Sequence, residues 1–130
     1  MNSLSFEQGD IVIAQLLFSE QIGLKIRPAL VISNTKYNKE NDGIILLKIT
    51  SAGKKTKYNL TLIEEDMQIG KLKQESTIMV DNPVTTYKGM IQTKAGKITK
   101  EKLNQVKEKM AELYEIKTKD DLNRDLKKHS

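Results

Sequence analysis

Ile26-Arg27-Pro28-Ala29-Leu30-Val31-Ile32-Ser33-Asn34 is the stretch on which the reading of this chain turns. Ala29 to Ile32 form a short apolar run, and Ser33-Asn34 closes it with turn-forming side chains, so the stretch reads as a strand. Pro28 cannot donate to a sheet ladder and suits the first residue of a strand. It also pushes the preceding residue toward extended backbone, which sets Arg27 at the mouth of a sheet. Of the 22 Lys and Arg residues, Arg27 and Arg124 are the two arginines. A planar guanidinium fork, charged at any working pH, matches a phosphate. A strand-end arginine held by a structural salt bridge is the competing reading.

On the N-terminal side, Gly9-Asp10 is a turn signal that opens Ile11–Phe18. Ile11, Ile13, Gln15 and Leu17 alternate with Val12, Ala14, Leu16 and Phe18, so both faces are mostly apolar, as in a central strand covered on each side. Ser19–Ile26 reads as a loop with Gly23 at its tip. On the C-terminal side, Thr35–Gly43 reads as a polar loop ending in the turn Asn41-Asp42-Gly43. Ile44–Thr50 is the most apolar strand, and the hydroxyls of Thr50-Ser51 close it. Tyr58–Ile63 and Ser76–Asp81 read as further strands, joined by a polar connection over 64–75. Pro83 reads as a break before a sixth segment, Thr85–Thr93, and Gly96 as the end of the β region. Thr99 is a good N-cap for a helix over 99–114. Leu103, Val106, Met110, Leu113 and Tyr114 give it one buried stripe, with Lys100, Lys102, Lys107 and Lys109 turned to solvent. Residues 117–130 read as a charged tail or short appended helix. The expectation is a mainly β fold with a C-terminal α-helix: one domain over 1–116, built as a small curved sheet or partial barrel of five or six strands.

Composition narrows the chemistry. There is no cysteine, and the single histidine is His129, next to the last residue. Disulfides, thiolate metal sites and histidine acid–base catalysis are not expected. No apolar run approaches the roughly 20 residues of a spanning helix. The first residues lack the basic and apolar regions of a signal peptide. The expected location is cytoplasmic, with no membrane contact. A net charge of +5 favours polyanionic partners.

Gly9-Asp10-Ile11-Val12, Arg27-Pro28-Ala29-Leu30-Val31-Ile32-Ser33-Asn34 and Ile49-Thr50-Ser51, in that order, resemble the MazF/PemK toxin family. Gly70-Lys71-Leu72, Ser76-Thr77-Ile78, Thr85-Thr86 and Gly96-Lys97-Ile98 agree, and the resemblance spans about residues 7–114. It implies an SH3-like small β-barrel, shared with CcdB-like gyrase inhibitors, that forms a homodimer and pairs with a cognate antitoxin. It implies a metal-independent, cofactor-free endoribonuclease that cuts single-stranded RNA such as mRNA, leaving 2′,3′-cyclic phosphate and 5′-hydroxyl ends. By position, the family's catalytic arginine and threonine fall on Arg27 and Thr50, with Ser51 as an adjacent hydroxyl. Ser19–Ile26 resembles the family's substrate-gating loop and carries Glu20 within Ser19-Glu20-Gln21, although the gap from Glu20 to Arg27 is longer than in other members.

The chemistry is consistent with these residues. RNA supplies its own nucleophile in the 2′-hydroxyl, so the protein needs to orient it, move protons and stabilise charge on the phosphorane. Arg27 can grip the non-bridging oxygens, and Thr50 or Ser51 can add a hydrogen bond. Glu20 is the acid near the motif that could act as base. Lys25, Lys48, Lys54 and Lys55 would track phosphates, and Phe18, Tyr37 and Tyr58 are candidates for base stacking. Two other classes stay open: a non-enzymatic CcdB-like inhibitor of gyrase, and an RNA-binding SH3-like module without catalysis.

Overall fold

The strand after Gly9 is buried at Val12, Ala14 and Leu16 on one face, while the other is buried at Ile11 and opens to solvent toward Leu17, so the cover expected on both sides is complete on one only. A computed structural model describes residues 5–17, 23–51, 56–117 and 119–128. Among them, seven strands form one antiparallel sheet: β1 (Asp10–Leu17), β2 (Leu24–Val31), β3 (Gly43–Thr50), β4 (Leu60–Leu62), β5 (Met67–Ile69), β6 (Ser76–Tyr87) and β7 (Ile91–Ile98). Three helices accompany them: α1 (Thr35–Glu40), α2 (Lys100–Tyr114) and α3 (Lys119–Lys128). The strand order is β4-β6-β3-β2-β1-β7-β5. The two edge strands, β4 and β5, are consecutive in the chain and are joined through a 3-10 turn at Glu64–Asp66. That short link rolls the sheet into a half-barrel.

Each face of the rolled sheet carries its own core. On one, Ile11, Leu30, Leu47, Ile49, Ile78 and Val80 pack against Val106, with Leu103, Met110 and Leu113 of α2 over them. On the other, Val12, Ala14, Leu16, Ala29, Val31, Ile44 and Leu46 pack with Phe6 and Ile91. Burial on this scale is the main driving force for the fold.

Several elements differ from the sequence reading. Residues 35–40 form α1 rather than a loop. The Asn34 side chain accepts from Tyr37 N at 2.8 Å and caps the helix. Asn38 is buried; its amide donates to Phe6 O and Ser33 O, both at 3.0 Å, and accepts from Ser33 Oγ. The polarity that suggests a loop here serves a cap and a buried network. Pro83 does not break its strand. It pairs with Leu47, while Ile78 pairs with Ile49, so residues 79–82 lie opposite Lys48 alone. This bulge flips the face: Val80 packs under α2, and Val84 packs against the other core. The actual interruption is the 3-10 turn Lys88–Met90.

Strand β5 lies within the stretch read as a polar connection. It is three residues long, and two glycines let it approach β7. A Cβ on Gly96 would lie 2.4 Å from Ile69 O, and one on Gly70, whose φ is +87°, would lie 2.6 Å from Ala95 O. Lys102 faces inward rather than to solvent. It is buried, and its ammonium lies 3.4 Å from Asp66, whose backbone carbonyl accepts Thr99 N at 2.8 Å. Asp66 therefore ties the edge-linking turn to the start of α2. Tyr114, expected in the buried stripe, is exposed. No helix among the described residues is long and apolar enough to cross a membrane.

Gly9 and Asp10 hold three strands together. Gly9, with φ +99°, donates its N–H to Val31 O at 2.8 Å and accepts from Ile98 N at 3.0 Å. Asp10 is buried and accepts from Glu7 N at 2.9 Å, with Lys94 and Lys97 at 3.4 and 3.6 Å. Lys97 also donates to Glu7. That bond and the lysine charge hold the Glu7 carboxyl below its ordinary 4.5, and the same bond raises Lys97 above 10.5.

Two outcomes follow. Asn38→Ala strips a satisfied network from the core and should lower stability by about 2–4 kcal/mol in denaturant unfolding, because it leaves buried groups unpaired. For Glu7, the lowered folded pKa means that its stabilisation is present above the unfolded value and is lost as pH falls through the folded one. The Lys97 contribution is present below its unfolded value and fades as pH rises through the folded one. The difference in melting temperature between wild type and Glu7→Gln should therefore shrink as pH is lowered from about 7 to about 3.

Candidate active site where the sheet forks

Strands β1 and β2 pair from Ile11↔Leu30 to Leu17↔Leu24. Strands β2 and β3 pair only from Val31↔Leu46 to Ala29↔Lys48. Past that point β3 stays with β6, and β2 stays with β1, so the sheet forks. The cause is Pro28. Ile32 N donates to Ile45 O at 2.9 Å, so the even-numbered nitrogens of β2 face β3. At position 28 that nitrogen carries no hydrogen, and the ladder stops. Pro28 is thus the fifth residue of β2, not its first, and β2 begins at Leu24, inside the stretch read as a loop.

Continuing the β2–β3 register by two residues places Arg27 opposite Thr50 across the fork. Both follow the side-chain alternation of the Ala29–Lys48 pair, so both belong to the face away from α2. Arg27 is exposed, and its Nη1 donates to Ile26 O at 2.9 Å. Thr50 pairs with Thr77 of β6, and Thr77 with Thr61 of β4. Three hydroxyls therefore stand in a row on the adjacent strands β3, β6 and β4, and Arg27 is on β2, the next strand in the sheet. Directly opposed residues in an antiparallel pair share a face, so the row faces one way.

Lys25 is half-buried and one alternation from Arg27 on the same edge. Lys48 reaches across the fork, and its Nζ donates to Leu17 O at 2.8 Å, at the base of the β1–β2 hairpin. Ser51 follows β3 and is exposed. Glu20, Lys54, Lys55 and Phe18 lie outside the described residues. Tyr37 sits on α1, beyond the opposite end of β2, and so is removed from this site. Tyr58 carries the Lys57 ammonium 5.0 Å from its ring centre. Among the described residues no group of three or more His, Cys, Asp or Glu is placed to hold a metal ion.

Sequence reasoning did not assign Thr61, Thr77 or Asp81 to this site. Asp81 lies in the β6 bulge opposite Lys48 and accepts from Thr56 Oγ1 at 3.3 Å. What gathers these residues is strand register across a bulge, which no local pattern encodes. The arrangement suits an anion bound along a track: a fork of donors at one end, hydroxyls beyond it, and lysines alongside.

Fold and site together define an SH3-like half-barrel whose sheet forks beside an exposed arginine. The chain belongs to the family of PemK-like, MazF-like toxins of type II toxin–antitoxin systems, whose model matches residues 7–114. Among solved structures, toxin MazF-mt6 of Mycobacterium tuberculosis is similar, with a TM-score of 0.68 and 17% identity over 84% of this chain and 99% of that one. MazF of Deinococcus radiodurans gives 0.68 and 20% identity, covering 87% and 99%. An endoribonuclease from a mycobacterial species, solved with its cognate antitoxin, gives 0.65 and 14% identity, covering 86% and 97%. No curated protein sequence matches. At these identities the structural likeness speaks to the fold.

The Lys48 contact predicts a local effect. Lys48→Met should raise amide hydrogen exchange in residues 14–17 and 24–27 about five- to ten-fold, with exchange in α2 and β6 unchanged, because a charge-assisted bond at the hairpin base is lost.

Proposed function

We propose that this chain is a metal-independent endoribonuclease toxin that cuts single-stranded RNA at the fork between Arg27 and Thr50. What supports this reading is that the β2–β3 pairing ends at Ala29–Lys48, with Arg27 and Thr50 each two residues further along its strand and on the side-chain alternation of that pair. The RNA 2′-hydroxyl attacks the adjacent phosphorus. The O2′–P bond forms as the P–O5′ bond breaks, giving a 2′,3′-cyclic phosphate and a 5′-hydroxyl. Arg27 holds the non-bridging oxygens in a bidentate grip as charge builds on them, and Thr50 donates a further hydrogen bond. A base must take the 2′-hydroxyl proton and an acid must supply one to O5′. Glu20 and Asp81 are the carboxylates for that exchange, because a protein arginine is not deprotonated. Ser51, Lys25, Lys54 and Lys55 bind RNA without reading its sequence, and Lys48 supports the hairpin beside them. The active form is a homodimer in the cytoplasm, held in check by a cognate antitoxin.

Purified protein incubated with mixed-sequence single-stranded RNA in EDTA should produce cyclic-phosphate ends, read by mass. Arg27→Ala should lower the cleavage rate about 10²–10³-fold, with an unchanged circular dichroism spectrum, as expected for loss of a charge-stabilising donor. Full activity in the pure variant would remove Arg27 from the mechanism. Absence of cleavage by the wild type would favour gyrase inhibition, tested by a supercoiling assay.

A further inference from the structure

The edge of β2 lies open beyond the fork. Its even-numbered nitrogens face β3, and the pairing with β3 ends at Ala29↔Lys48. Among the described residues, β1 is the strand that pairs with β2 over Leu24–Arg27, and it does so from the other side. The N–H and C=O groups of Leu24 and Ile26 therefore point into the fork. The Arg27 side chain turns back onto this edge. Its Nη1 donates to Ile26 O at 2.9 Å, where the N–H of a neighbouring strand would stand. An open edge is a template for a further strand.

The two faces of this edge differ. Leu30 packs in the core under α2, and alternation puts Leu24 and Ile26 on the same face. They lie beyond the cover of α2 and are 51% and 49% exposed. Leu17, opposite Leu24 on β1, is 59% exposed and widens the apolar strip. Lys25 and Arg27 alternate onto the other face. A strand laid along this edge meets hydrocarbon on one side and cations on the other.

We propose that this edge binds an extended segment of a partner protein by antiparallel strand addition, a segment in which acidic and apolar residues alternate. The inference does not rest on the ribonuclease reading. Main-chain bonds to Leu24 and Ile26 supply the docking, and the alternating side chains supply the choice of partner. The acidic side chains share a face with Lys25 and Arg27, and the apolar ones lie beside Leu24 and Ile26. Opposite charges on facing strands stabilise the pair, and like charges destabilise it. That rule disfavours a second copy of the same edge. Only the even-numbered residues point their backbone groups outward, so antiparallel pairing of two β2 edges sets the cations of one copy against those of the other. A phosphate backbone offers no alternating N–H and C=O groups to match the edge.

The test uses the full chain and a capped peptide of three glutamate–valine repeats, with binding followed by fluorescence anisotropy and by amide exchange. The peptide should bind and slow exchange of the Ile26 amide about ten-fold or more. In the antiparallel orientation a residue opposite Ile26 shares its face and exchanges both bonds with it, so the valines carry the paired N–H groups. N-methylation of the valines should therefore weaken binding about ten-fold or more, while N-methylation of the glutamates leaves it within about two-fold. A lysine–valine peptide of the same length should fail to compete. Ile26→Pro removes the outward N–H and spares the odd-numbered nitrogens that bond β1, so it should weaken binding with little change in melting temperature. The methylated peptides decide the matter if that variant fails to fold. No binding of the glutamate–valine peptide, equal affinity for its two methylated forms, or equal competition by the lysine peptide overturns the proposal. A protein that binds the peptide as described and cuts no RNA keeps this edge and loses only the ribonuclease.

Discussion

The missing hydrogen on the Pro28 nitrogen ends the ladder between β2 and β3, and the candidate site exists because the ladder ends there. Up to Ala29 and Lys48 the two strands share hydrogen bonds and bury their side chains in common cores. One residue further, the nitrogen that should donate to β3 cannot, and the strands follow separate partners. The fork exposes an edge of β2 that β1 supports from behind. Arg27 stands on that edge, held extended by the proline that follows it. A cation on a rigid strand keeps its place better than one on a loop.

Much of the motif around Arg27 serves the fold rather than the chemistry. Ser33 and Asn34 fasten α1, one through Asn38 and the other by capping the helix. Gly9 and Asp10 join β1 to β2 and β7. Gly70 and Gly96 allow β5 and β7 to approach. Asp66 connects the rolled edge of the sheet to α2 through Lys102 and Thr99. These contacts hold the half-barrel at the curvature that sets Thr50, Thr77 and Thr61 in line. Site and scaffold are continuous, since the strands that pack the two cores also carry the hydroxyl row.

How far the fold was legible depended on how local its causes were. The C-terminal helix could be read because Thr99 caps it and Leu103, Val106 and Met110 repeat at helical spacing. Strand β1 could be read because apolar residues dominate both of its alternating faces, with Gln15 the exception. Helix α1 could not, since its residues are polar and only the buried contacts of Asn38 explain them. Strand β5 is too short to carry a pattern, and β6 carries Pro83 at a bulge that only its pairing with β3 accommodates. At the site, Arg27 and Thr50 stood out by residue type and resemblance. Thr77 and Thr61 carry no such mark, since a threonine in a strand-like segment is commonplace.

By itself, the sequence determined the class of this protein. It specified a cysteine-free, lysine-rich β domain with a closing helix, and an arginine fixed before a proline at the mouth of a sheet. These rest on composition and on repeats within a few residues, which a linear chain displays directly. The tertiary structure decided which residues meet. Strand order, the bulge at 79–82 and the roll that joins β4 to β5 bring residues 27, 50, 61 and 77 onto one face. Register is a relation between distant segments, set by which cores can close together, and no local stretch of sequence contains it.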